Sequence, residues 1–241
     1  MNVNEIVRIV PTLKVNNRKL NESFYIETLG MKPLLEESAF LSLGDQTGTE
    51  RLILEEAPSM RTRRVEGVKK LARLLVKVEN PSEIEGILSQ MKSLPRLFKG
   101  SCGYAFEIVS PEQDVILVHA ENDVRDLVPL ETVPEFYSNT SIKYLSQFEV
   151  SVELRLPEDR ESLLDSEFVT NAITFTQGKG PDLAVENNVT WDLTMLKFLV
   201  KNFDLTSLRQ KFEKTGYFVP KSEKFFLGKD TNNIELWFEE A

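Results

Sequence analysis

At 241 residues, with 41% hydrophobic and 28% charged side chains, the chain has room for two packed domains and the composition of a folded globular protein. A net charge of −9 argues against nucleic acid as a partner, because phosphate affinity comes from clustered Lys and Arg, and no run approaches the roughly 18 apolar residues of a membrane helix. With one cysteine, Cys102, and one histidine, His119, there is no internal disulfide, no multi-thiolate zinc site and no all-histidine metal centre. The acidity is uneven: residues 1–125 carry 17 basic and 18 acidic side chains, and residues 126–241 carry 12 and 20. Met1 to Val7 shows no basic region, long apolar stretch or cleavage site of a secretory signal. The expectation is a cytoplasmic protein, for which extracellular action would need non-classical release.

From Ile6 to Val15 the residues alternate as in a half-buried strand, Ile9, Pro11, Leu13 and Val15 on one face and Arg8, Val10, Thr12 and Lys14 on the other. A helical stretch with Leu20, Phe24 and Ile26 to Leu29 as its apolar stripe ends at Gly30. Strands follow at 34–37, 40–44 and 50–55, giving the order βαβββ. After a basic connector with Arg61, Arg63, Arg64, Lys69 and Lys70, the order returns: strand 73–78, a helix opened by Pro81 and running to Met91, then strands 96–99, 104–109 and 115–119. Most such charge runs are solvated connectors.

Residues 126–145, containing Pro129, Pro134 and Asn139, read as a linker between domains 1–125 and 146–241. Phe148 to Leu156 alternates again, and a helix over 158–168 and strands at 172–177 and 182–186 form a third module. A fourth runs from strand 196–200 through a helix over 205–215 to a hairpin of 224–227 and 234–238. Four copies of one unit predict two pairs, one per domain, in an α+β fold.

Phe24-Tyr25 followed by Leu29-Gly30-Met31, together with Asp230-Thr-Asn-Asn-Ile-Glu-Leu236, resembles the opening and closing signatures of the glyoxalase, bleomycin-resistance and extradiol-dioxygenase superfamily, the vicinal oxygen chelate fold. Over its whole length the chain is similar to the streptococcal CppA family, whose members are named as proteinases degrading a complement component. The resemblance implies tandem βαβββ modules, a host complement protein as partner, and, in metal-binding superfamily members, a divalent ion held by first- and last-strand residues. The ligand positions it implies fall on Val10, Arg73 and Leu117 in the first domain and on Ser151, Met195 and Glu235 in the second. Apart from Glu235 these are poor donors, so no metal and no cofactor are expected.

The residues themselves show no protease constellation. There is no Gly-x-Ser-x-Gly elbow, no His-Glu-x-x-His and no second Asp-Thr-Gly-like loop. If Ser110 pairs with Val115, His119 lies opposite Phe106, on the order of 13 Å from Cys102, too far for a thiol–imidazole dyad. His119 shares a strand face with Leu117, and Arg73, Lys77, Arg8 and Lys14 share the same parity, which predicts a basic cleft for a small anionic ligand or an acidic peptide. Trp237, two residues after Glu235, is expected to floor the second domain's cleft. The favoured reading is a metal-independent binding protein. A complement-degrading proteinase and a metal-dependent lyase or dioxygenase stand beside it.

Overall fold

A computed structural model describes residues 3–60, 62–132, 134–137, 142–158, 161–168 and 170–241. Arg61 and Asn139, named above in the connector and linker, lie outside the described residues. The first module consists of β1 (Glu5–Val15), α1 (Arg18–Glu22) with a wider π-type turn over Ser23–Thr28, β2 (Lys32–Glu37), β3 (Phe40–Gly44) and β4 (Glu50–Glu56). The second has β5 (Leu71–Val78), α2 (Ser82–Gln90), β6 (Arg96–Lys99), β7 (Tyr104–Val109) and β8 (Val115–His119), followed by the two-residue β9 (Val128–Pro129). The third holds β10 (Phe148–Pro157), α3 (Leu163–Glu167) and β11 (Ile173–Gly178). The fourth has β12 (Leu193–Lys201), α4 (Leu205–Lys211), β13 (Tyr217–Phe218), β14 (Phe225–Lys229) and β15 (Glu235–Glu240).

The strands form two half-barrel sheets, and each draws on both halves of the chain. The first runs β13-β14-β15-β12-β1-β4-β3-β2 and the second β11-β10-β5-β8-β7-β6-β9. Modules therefore pair first with fourth and second with third, where the order along the chain pointed to one pair on each side of residues 126–145. Hydrophobic periodicity identifies a module but carries no information about which open first-strand edge another module will meet.

In every module the first and last strands are parallel neighbours: β1 with β4, β5 with β8, β10 with β11, β12 with β15. The third module lacks the two middle strands, so β11 is a sheet edge. The strand expected at 182–186 is absent; these residues form turns, entered through Gly178, Gly180 and Pro181, which interrupt any extended alternation.

The expected helix over 158–168 shortens to α3, capped by the Ser162 hydroxyl accepting the Leu164 N–H. The helix expected over 205–215 ends at Lys211, and Gly216, at φ +83°, makes the turn out. In the first module the Leu29 N–H bonds Phe24 O at 3.2 Å, the wide π-type spacing, and Gly30 leaves at φ +71°.

Apolar residues from one face of each sheet merge in a single core. Around the fourth module it is aromatic: Phe168, at the end of α3, lies with Phe198, Phe212 and Phe238 at ring-centroid distances of 4.8–6.1 Å, and Phe226 meets Phe212 at 5.2 Å. Gly228 is needed here, since a Cβ would come within 2.4 Å of the Phe212 ring.

The basic connector is structural. Arg63 grips Asp182 through two hydrogen bonds of 2.6 and 2.8 Å, Lys69 pairs with Asp114, and fully buried Lys70 donates to Val185 O at 2.8 Å. Desolvation lowers the Lys70 pKa to about 8. The buried Asp192 carboxylate accepts the Lys70, Leu71 and Leu193 N–H groups, tying the start of β5 to the start of β12 across the two sheets. The expected solvated connector is thus a strap, because Arg63, Lys69 and Lys70 find buried carboxylates and carbonyls more than 40 residues away in sequence.

Truncating Phe238 to Ala should lower the urea-unfolding free energy by about 3–5 kcal/mol through lost transfer energy and a residual cavity. Phe218→Ala, at a position 56% exposed, should cost under about 0.5 kcal/mol.

Candidate functional site

The first-sheet cleft face is organised by cross-strand register. Thr12 of β1 lies level with Ile53 of β4 and Met195 of β12, and Met195 in turn with Glu235 of β15. Thr12 occupies the level assigned above to Val10, which instead faces Lys197 and is fully buried. A hydroxyl, a hydrocarbon, a thioether and one carboxylate thus cross the seam, and among the described residues no three His, Cys, Asp or Glu side chains converge. This row of four side chains offers too few hard donors to hold a divalent cation.

Burial, followed by the neighbouring Glu55, raises the Glu235 carboxyl above its ordinary range. Trp237 is not an open floor: its ring stacks on Phe225 at 3.8 Å and its Nε1–H donates to Glu239 at 2.8 Å. Arg8 belongs to this sheet, opposite Leu199, and its buried Nε has no hydrogen-bond partner among the described residues. Burial, then nearby Arg51, lowers its pKa.

Arg73, Lys77 and His119 come together on the second sheet, in a cleft of about 820 Å³. Across this face Leu117, Leu75 and Ser151 are level, with Lys77 level with both His119 and Glu149, and Arg73 with Glu153. Leu75 thus takes the level assigned above to Arg73. Leu117 is covered: with Leu75, Phe98 and Ala105 it forms a small apolar cluster against which Val124 and Leu127 pack. Of the eleven residues singled out from sequence, the structure gathers Arg73, Lys77, His119 and Ser151 into one open cleft, keeps Leu117 beneath its edge, and places Arg8, Val10, Lys14, Met195, Glu235 and Trp237 on the other sheet, so Arg8 and Lys14 do not join the cleft that strand parity assigned them to.

The lining is mixed rather than basic, because Glu121, Asp123, Glu149 and Glu153 share it with the cations. Arg73 is bound to Glu153 at 3.1 Å, and Arg125 is paired with Asp123. Glu121 accepts the Ser101 hydroxyl at 2.7 Å and the Cys102 N–H at 2.6 Å. Burial would raise the Glu121 carboxyl, but these bonds outweigh it and hold its pKa below the usual value. Lys77 differs: its Nζ donates to Asn122 Oδ1 at 2.8 Å, and among the described residues no carboxylate lies within ion-pair distance. The polar groups Asn122, Glu121 and Asn171 escaped sequence analysis because they lie in loops, where strand parity says nothing.

The β7–β8 hairpin pairs Val109 with Val115 and Phe106 with Val118, one residue out of the expected register. Ser110 is drawn into the loop, its Oγ accepting the Glu112 and Asp114 N–H groups. His119 therefore lies one position past the Phe106 level. It is 4% exposed, its Nδ1 has no hydrogen-bond partner among the described residues, and burial, then the Lys77 charge, lowers its pKa to about 4. A catalytic triad needs a carboxylate on that nitrogen, and none among the described residues supplies one.

His119 stays neutral in the folded chain down to about pH 4, whereas the unfolded chain protonates it near 6.5. Between those values the unfolded state binds more protons, so stability is lost as pH falls through this window, by about 3 kcal/mol at its lower end. His119→Phe should remove that component. The urea-unfolding free energies of wild type and variant should converge by this amount between pH 6.5 and 4, and a constant difference would contradict the assignment.

The family model described as CppA N-terminal matches residues 8–130, and the CppA C-terminal model matches residues 145–238. The crystal structure of the cppA protein from Streptococcus pneumoniae TIGR4 is 68% identical over 100% of both chains, with a TM-score of 0.94. A putative dioxygenase from Bacillus subtilis shares 13% identity over 99% of this chain and 86% of its own, with a TM-score of 0.59. Glyoxalase I from Zea mays shares 10% over 98% and 92%, with a TM-score of 0.54. These last two show the glyoxalase- and dioxygenase-like fold alone. No curated protein matches. With both halves matched by its models and a near-complete structural counterpart, the chain belongs to the CppA family.

Proposed function

We propose that this protein is a metal-independent binding protein that holds a small anionic ligand in the second-sheet cleft. The observation that carries the reading is Lys77, a half-buried ammonium with an amide for its partner, in a cleft whose other cations are paired with carboxylates. Beside it the neutral His119 ring and the Ser151 position offer polar contacts, and Leu75 gives an apolar floor. A cleft of about 820 Å³ lies in the range that encloses small molecules, and a few placed polar groups over an apolar floor is the usual composition of such sites. A small carboxylate or phosphate monoester suits it better than an acidic peptide. Glu149, opposite Lys77 and exposed, opposes the anion and limits its affinity.

Ligand-observed NMR with a mixture of small carboxylates and phosphate monoesters, followed by calorimetry on the hits, tests the reading. Lys77→Met should weaken binding at least about tenfold, the worth of one charge-assisted contact. Glu149→Gln should tighten it, and Lys229→Met on the other sheet should leave it unchanged. Binding indifferent to Lys77, or no hit at all, would overturn the proposal.

A further inference from the structure

The first-sheet cleft contains a cation of its own. Lys14 is 7% exposed, and its Nζ lies 3.1 Å from Glu55 Oε1 and 2.9 Å from the Asn187 carbonyl. The second Glu55 oxygen accepts the Thr194 hydroxyl at 3.4 Å. Asn187 reaches this point because the turns after β11 fold back on the sheet, held by its amide donating to Thr194 O at 2.8 Å and by the Asn233 amide donating to Ala184 O at 2.6 Å. Two polar atoms here are buried with no hydrogen-bond partner among the described residues, Thr12 Oγ1 and Asn187 Oδ1. Glu235, one strand beyond Met195, faces the same region, with Lys229 beside it engaged by Glu186.

We infer that the Lys14 ammonium is the resident cation of this cleft and takes the charge-neutralising place that a divalent ion would otherwise fill. Two half-buried carboxylates need positive charge nearby, and an ammonium on a four-carbon stem supplies it without metal, donating to the same hard oxygens that would ligate one. With the ammonium removed, Glu55 and the Asn187 carbonyl lose their partner, and together with neighbouring Glu235 and the Thr12 and Thr194 hydroxyls they offer an oxygen donor set suited to Mn²⁺ or Mg²⁺. The inference does not depend on the anion reading, since it concerns the opposite sheet.

The test is Lys14→Ala titrated with MnCl₂ in calorimetry and thermal unfolding. Wild type should bind no Mn²⁺ at this site. The variant should bind one ion per chain, with Tm raised by at least about 3 °C at saturating metal, and adding Glu55→Gln should abolish both effects. If Lys14→Ala is unfolded as purified, Mn²⁺ should restore its folded circular-dichroism signal. A variant that ignores Mn²⁺, folded or unfolded, overturns the inference, as does wild type binding Mn²⁺ through Glu55. Lys77→Met should leave the Mn²⁺ response of Lys14→Ala unchanged, which separates this result from any failure at the other cleft.

Discussion

The antiparallel seam between β1 and β12 sets what the first half-barrel can do. Strand side chains alternate, so one register fixes every residue on both faces. Here it buries Ile9, Leu13, Phe198 and Val200 and turns Thr12, Lys14, Met195 and Lys197 to the cleft. Two register shifts, between Ile6 and Arg8 and between Thr12 and Leu13, help decide which residues become level with Met195 and Glu235. The chemistry of that cleft follows from this alignment more than from the residues taken one at a time.

The second half-barrel repeats the plan from different material. Where β13 and β14 complete the fourth module, the third stops at β11, and the chain returns as turns over the first sheet. Chain that could have extended one sheet instead delivers Asn187 to Lys14, Val185 to Lys70 and Asp182 to Arg63. One truncation thus accompanies the filling of one cleft while the other stays open. That contrast is why the binding reading is assigned to the Lys77 side, and why likeness in fold to a dioxygenase and a glyoxalase does not carry their chemistry across.

Much of the architecture was legible in the residues. The alternation of β1 and β10, the Phe24-Tyr25 and Leu29-Gly30-Met31 signature and the closing Asp230–Leu236 stretch identified the module and the fold. Local pattern could not choose between adjacent and crossed pairing, because β1 and β5 present equally good edges. It also misjudged the connector. A run of Arg and Lys reads as solvated until its distant carboxylates are known, and Asp182 and Asp192 lie more than 110 residues beyond it. Parity placed Arg73, Lys77 and His119 on one face, where regular strands keep them together, but it also grouped Arg8 and Lys14, which belong to the other sheet; the levels counted to Val10 and Arg73 fall two residues later, on Thr12 and Leu75, and a one-residue hairpin slip moves His119 past Phe106. The supposed basic lining failed because acids on the facing β10 strand, Glu149 and Glu153, were not paired with β5 by sequence alone.

The central claim is that the two clefts differ, one filled by its own side chains and one open to an anion. Crystals soaked separately in small carboxylates, in phosphate monoesters and in MnCl₂ would show both clefts in the same maps. The account predicts anion density against Lys77 and His119 and no ion beside Thr12, Glu55 and Glu235. Manganese density on that first-sheet row in the wild-type protein, with nothing bound at Lys77, would contradict it.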